Sequence, residues 1–180
     1  RASKPKEVSG VLLGWDPSNT APYGLLEADL RVLSKVAATL PSEFLEHFEV
    51  HGVDGRRASK IVKVYLENDR PLVLETIIAP TSCLAGLVMK DHRHDNIYKI
   101  IEVGYQARIA RITQRVRVRT ATEEEAMALQ IGRNSHILAV DRILFGGRSA
   151  VAVIRLAYPD LDRGFIEEAR SPLGTAGISR

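Results

Sequence analysis

Twice along this chain a β-rich run meets a short polar turn and then a second β-rich run. "KIVKVYL" (60–66) and "PLVLETIIA" (71–79) flank "ENDR", while "HILAVDRILF" (136–145) and "RSAVAVIRLAY" (148–158) flank "GG". Val, Ile and Leu favour the pleated backbone, and Asn, Asp and Gly tolerate the dihedrals that reverse it, so each pair reads as a hairpin. Two hairpins call for an antiparallel sheet, and the apolar face of such a sheet needs cover. Between them, Ala110, Ile112, Val116 and Val118 alternate with Arg111, Thr113, Arg115, Arg117 and Arg119. This period of two predicts one more strand, with a buried and a polar face.

The cover is expected to be helical. In "LLEADLRVLSKVAATL" (25–40), Leu26, Leu30, Leu33, Ala37 and Leu40 fall at helical spacing, which predicts an amphipathic helix ending before Pro41. Ser42 is placed to cap a short second helix that packs Phe44, Leu45 and Phe48. "DNIYKIIEVGY" predicts a short helix that stops at Gly104. Thr122 and Glu125 form the capping-box pattern, with Glu123 and Glu124 at the positive end of the helix dipole and Ala126 and Leu129 turned inward. The expected class is α+β, an antiparallel sheet flanked by helices. It forms one domain over 25–170 between polar tails at 1–24 and 171–180.

Charge narrows the function. The 25 basic and 22 acidic side chains leave a net +3 over 180 residues, too balanced for a nucleic-acid module. The arginine ladder at 115–119 therefore reads as the wet face of a strand, its charge discouraging edge-to-edge aggregation, with anion binding by Arg115 or Arg117 as the alternative. A single cysteine, Cys83, excludes an internal disulfide and is expected to be a buried structural thiol. No apolar run approaches the roughly 18–20 residues of a membrane span, and no signal-peptide core opens the chain, so a cytoplasmic protein without a membrane partner is expected. "DHRHD" (91–95) lacks the ligand set of a closed zinc site, and the "GG" turn precedes no helix that could receive a phosphate, so neither metal nor cofactor is expected.

Two charges interrupt apolar strands. Glu75 shares a strand face with Val73 and Ile77, and Arg155 with Val151 and Val153. A charge in such surroundings must be paired or must face a cavity. Either Glu75 forms a structural ion pair with Arg155 or with Lys63, or these residues line a ligand pocket.

Taken in order, "LENDRPLVLETIIAP", the helix with "IY", "TATEEEAMALQIG", "ILAVDRILFGGRSAVAVIRLAY" and "DRGF" resemble the UTRA domain over about residues 30–168. That domain is the effector-binding half of HutC-type regulators in the GntR family. The resemblance implies a chorismate lyase-like fold, a homodimer, and DNA contact only through an N-terminal winged helix-turn-helix, for which nothing before Leu25 leaves room. It also implies ligand-binding roles for Glu75, for Asn96 and Tyr98 at a serine-x-tyrosine position, and for Tyr158. The family's phosphate-holding arginines fall at Lys63 and Tyr65, and its glutamate after the last turn falls near Ala152, which shifts the expected effector from a phosphosugar to a small polar or carboxylated metabolite. The expected pocket lies at one end of the sheet, lined by Glu75, Arg155, Tyr98 and Tyr158 with Lys63, Tyr65 and Asn96, and with Arg155 gripping a carboxylate. The competing function is a stand-alone lyase-like enzyme acting on a carboxylated small molecule. Glu75 stands where the lyase has an arginine and Arg155 near its glutamate, an exchange that favours the sensor, so no catalytic residue is expected.

Overall fold

A computed structural model of the chain describes residues 29–50, 52, 54–93 and 97–159. The tails at 1–24 and 171–180, residues 25–28 of the first expected helix, and "DRGF" lie outside these residues. Six strands form one antiparallel sheet: β1 (Asp29–Thr39), β2 (Arg57–Glu67), β3 (Arg70–Pro80), β4 (Arg111–Thr120), β5 (His136–Phe145) and β6 (Ala150–Tyr158). Their order across the sheet is β1-β2-β3-β6-β5-β4, so the two hairpins meet at β3 and β6, and β1 and β4 are the edges. This is the α+β, chorismate lyase-like architecture expected from the sequence.

Both hairpins form, for different local reasons. Asn68 and Asp69 take positive φ values of 49° and 62°, the paired left-handed conformation of a tight two-residue turn whose twist matches its strands. The second reversal is longer than a Gly-Gly turn. It runs from Gly146 to Ser149, with Gly147 at φ 147°, where a side chain would be strained.

The predicted first helix is instead strand β1. Its pairing with β2 slips between Val32 and Ser34, a bulge that adds one residue to the edge strand. The slip breaks the alternation: Leu30 and Val32 share a face before it and Lys35 and Ala37 after it, so no single period of two runs through the segment. "PSEFLEHF" is helical only as a 3-10 segment, Ser42–His47. Pro41, not Ser42, stands at its cap and no side chain bonds there, while Phe44 and Phe48 are buried and Leu45 is half-buried.

Helix α1 (Ile97–Lys99) runs on as a π-turn, Ile100–Gly104, ending where Gly104 was expected to end it. It buries Ile97, Ile100 and Ile101 against one sheet face, with Ile61, Val73, Ile77, Ile154 and Leu156. Helix α2 (Glu123–Leu129) opens with the full capping box, the Thr122 hydroxyl accepting from the Glu125 N–H and the Glu125 carboxylate from the Thr122 N–H. It covers one end of the opposite face, packing Ala126 and Leu129 on Val64, Leu74 and Ile137. The 3-10 segment covers the other end with Phe44 and Phe48 on Ile78 and Val153.

On β4 the expected buried face is half bare. Val116 and Val118 are 40% and 59% exposed, because an edge strand has a neighbour on one side only. Cys83, expected to be buried, is exposed in the turn after β3.

Candidate functional site

Opposed residues of an antiparallel pair point to the same face, and successive residues of a strand to opposite faces. The row Lys63–Glu75–Leu156–Val140 therefore faces α1, and the adjacent row Thr76–Arg155–Asp141 faces α2. This parity divides the residues singled out in the sequence.

On the α1 face, the middle of β2 and β3 holds a buried charge pair. Lys63 Nζ lies 2.9 Å from Glu75 Oε2, and the two side chains are 1% and 6% exposed. Tyr65, two residues along β2 on the same face, donates its hydroxyl to the same oxygen at 3.1 Å. Burial, and then the neighbouring Glu75 carboxylate, push the Tyr65 phenol far above its ordinary range, so it is a fixed donor. The cluster lies mid-strand rather than at one end of the sheet. Tyr98 of α1 and Tyr158 of β6 belong to the same apolar cluster as Tyr65. Asn96 lies outside the described residues.

Two residues that the sequence reading did not assign to the site join this face. Arg142 of β5 is 3% exposed, donates from Nε to Gln114 Oε1 at 2.8 Å, and donates from Nη1 to the Tyr98 hydroxyl at 3.3 Å. The alternation in "VDRILF" could have found it, since Arg142 shares parity with Val140 and Leu144. His92 is 1% exposed, and its Nε2 lies 2.9 Å from the Leu87 carbonyl. It sits in a polar stretch with no period to mark it.

Arg155 is not brought to this cluster. It lies on the α2 face, where it bonds Glu43, approaches Asp141 Oδ1 at 3.4 Å and stacks over the Phe44 ring at 4.8 Å. The expected alliance of Glu75 with Arg155 is replaced by Glu75 with Lys63, because the β3–β6 register sets Glu75 opposite Leu156 and Arg155 opposite Thr76. The ladder shares the α2 face. Arg117 holds the other oxygen of Asp141 at 2.9 Å, and Arg119 grips Glu125 through both carboxylate oxygens at 2.6 Å, so only Arg115 of the three has the expected exposure. Open surface depressions of about 440 and 550 Å3, around Cys83 and Arg148 and around Val50 and Arg56, contain none of the predicted site residues.

The UTRA domain profile matches residues 22–163, most of the chain and all of the sheet. The chain belongs to the UTRA family. The C-terminal domain of the histidine utilization repressor from Pseudomonas syringae superposes with a TM-score of 0.67, at 20% identity over 80% of this chain and 99% of that one. A GntR-family transcriptional regulator from Enterococcus faecalis gives 0.65, at 21% identity over 78% and 99%. The effector domain of PhnF from Mycobacterium smegmatis gives 0.63, at 16% identity over 73% and 80%. No curated protein sequence shows significant similarity to the chain. As a UTRA domain, the chain is an effector-binding domain of the type that serves GntR-family regulators, and no described helix is long and apolar enough to cross a membrane.

Proposed function

We propose that this UTRA domain senses a small zwitterionic or carboxylated metabolite on the α1 face of its sheet, between β2–β3 and helix α1. The observation that carries this reading is the Lys63–Glu75–Tyr65 cluster: both signs of charge and a phenol hydroxyl set into an otherwise apolar face. A buried ion pair is weak support for stability on its own, because desolvation offsets most of its attraction. It does present a cation and an anion, already dehydrated, to a molecule carrying the complementary pair. Tyr98 and Tyr158 would wall the ligand, and Asn96 keeps only the ligand-binding role that the resemblance implies; Arg155, held by Glu43 and Asp141 on the other face, takes no part.

The signal would pass to a winged helix-turn-helix carried on the same regulator in the cytoplasm, through a two-fold dimer whose two arrangements bind the metabolite unequally. The bare valines on the β4 edge support such an assembly, since a second copy would cover them. The test is a thermal-shift panel of amino acids, hydroxy acids, keto acids and sugar phosphates. A ligand at one hundred times its Kd adds about 2.7 kcal/mol, or roughly 5–10 °C in a domain of this size. Stabilisation by sugar phosphates with none from the carboxylates would overturn the reading.

A further inference from the structure

The His92 imidazole is held in one orientation and used at one end. Its Nε2 faces the Leu87 carbonyl, an acceptor, so Nε2 carries the proton and donates it. The ring's other nitrogen, Nδ1, is then a bare lone pair. It is buried, and it has no hydrogen-bond partner among the described residues. Buried polar atoms are nearly always satisfied, and one that is not asks for an explanation such as a missing ligand.

The surroundings say which ligand group would satisfy it. The 3-10 turn Leu87–Met89 is fastened to β1 where the Lys35 ammonium donates to the Lys90 carbonyl, which sets His92 over the β1–β2 part of the α1 face. Lys63, Lys35 and Glu75 are the charged groups close enough to act on the ring. Burial, followed by the two lysines, favours the neutral ring over the opposing influence of the Leu87 carbonyl and Glu75, so Nδ1 stays an acceptor. Glu75 meets Lys63 and Tyr65 through Oε2 alone, which leaves Oε1 outside both contacts. The face thus offers the Lys63 cation for a carboxylate and acceptors for a donor.

We infer that His92 is a ligand-contacting residue of this site, its Nδ1 accepting a hydrogen bond from an ammonium or hydroxyl group of a carboxylate effector. The inference rests on the proposed sensing site and narrows its ligand class: amino acids and hydroxy acids bind, and keto acids, which have only acceptors beside the carboxylate, do not.

Two substitutions separate this role from a structural one. His92→Gln places its amide N–H where Nε2 was and keeps the bond to Leu87, whereas His92→Asn places an oxygen where Nδ1 was and keeps only the acceptor. The probes are the twenty amino acids with their α-hydroxy and α-keto counterparts, measured by thermal shift and calorimetry on the whole chain. In the wild type, at least one amino or hydroxy acid binds roughly ten- to a hundredfold more tightly than its keto counterpart, the loss expected when a hydrogen bond to a charged or buried group is unmade. His92→Gln keeps the melting temperature of the ligand-free protein but loses that preference. His92→Asn melts lower and retains it. If amino or hydroxy acids bind wild type and His92→Gln equally well, or if keto acids bind wild type as tightly, the role of His92 is overturned while the sensing site stands. Absence of a shift with every probe would overturn both.

Discussion

Removing Lys63 should harm the fold far more than removing Lys63 and Glu75 together. Lys63→Met strips the cation from a carboxylate that is 6% exposed and leaves it with only the Tyr65 hydroxyl. Breaking a buried pair from one side costs about 3–5 kcal/mol, because the surviving charge stays dehydrated without its partner. At 2–4 °C per kcal/mol for chains of this length, that is roughly 6–20 °C of melting temperature. Glu75→Leu strands the ammonium in the same way. The double variant Lys63→Met/Glu75→Leu has no charge left to strand, and its side chains match a face already built from Ile61, Val73, Ile77 and Leu156. Replacing a buried pair by apolar residues of similar volume is commonly neutral or stabilising by about 1–4 kcal/mol. Urea unfolding of the four proteins closes the cycle, and unchanged m-values would show that the same surface is exposed in each. The double variant should lie near wild type or above it and bind no carboxylate. If the single losses simply add in the double, the two charges are not coupled and the ion pair is not there. If the double variant still binds the effector, these charges serve the fold alone.

The other expectations are briefer. Arg155→Ala should cost well under the about 3–5 kcal/mol of stranding a buried charge outright, because Asp141 keeps Arg117, and should leave effector affinity unchanged; a tenfold loss of affinity would return Arg155 to the site. His92 is held below its ordinary pKa, so its contribution is fully present above the unfolded-state value near 6.5 and is lost as pH falls towards the lower folded value. Wild type should therefore lose stability relative to His92→Gln as pH falls below about 6.5, and parallel curves there would contradict the burial argument. Val118→Asp, on the exposed edge of β4, should shift the protein from dimer to monomer in light scattering at micromolar concentration; a wild-type monomer under the same conditions would remove the dimer from the proposal.

The two hairpins, the α1 helix and the α2 capping box were legible in the sequence because each depends on residues close together in the chain. Asn68 and Asp69 make a left-handed turn wherever they sit between two β-rich runs, and Thr122 caps whatever helix Glu125 begins. Strand β1 was hidden by one inserted residue. The bulge between Val32 and Ser34 breaks the period of two that would have marked a strand, and only pairing with β2 decides between strand and helix. The burial of Val116 and Val118 was misjudged for a related reason: alternation tells which residues share a face, not whether another strand lies beyond them.

The charged cluster proposed as the site was legible to the same extent. Lys63, Tyr65 and Glu75 come together through the tight first hairpin, whose register follows from its turn, and the sequence placed them on one face. Arg155 was not seen to lie on the opposite face from Glu75, because its face depends on how β6 meets β3, a contact between residues about eighty positions apart that no local pattern reports. A shift of one residue in that register would have carried it across the sheet. Where it lies, its guanidinium joins Glu43, Asp141 and Arg117 in a network of two cations and two anions. This network fills the gap between the apolar cluster under the 3-10 segment and the one under α2. A carboxylate ligand drawn to Arg155 would have to displace a carboxylate already in place. The α1 face is different in kind: beside the Lys63–Glu75 pair stands the His92 Nδ1, a buried acceptor without a hydrogen-bond partner among the described residues, and a ligand donor proposed there would displace no carboxylate.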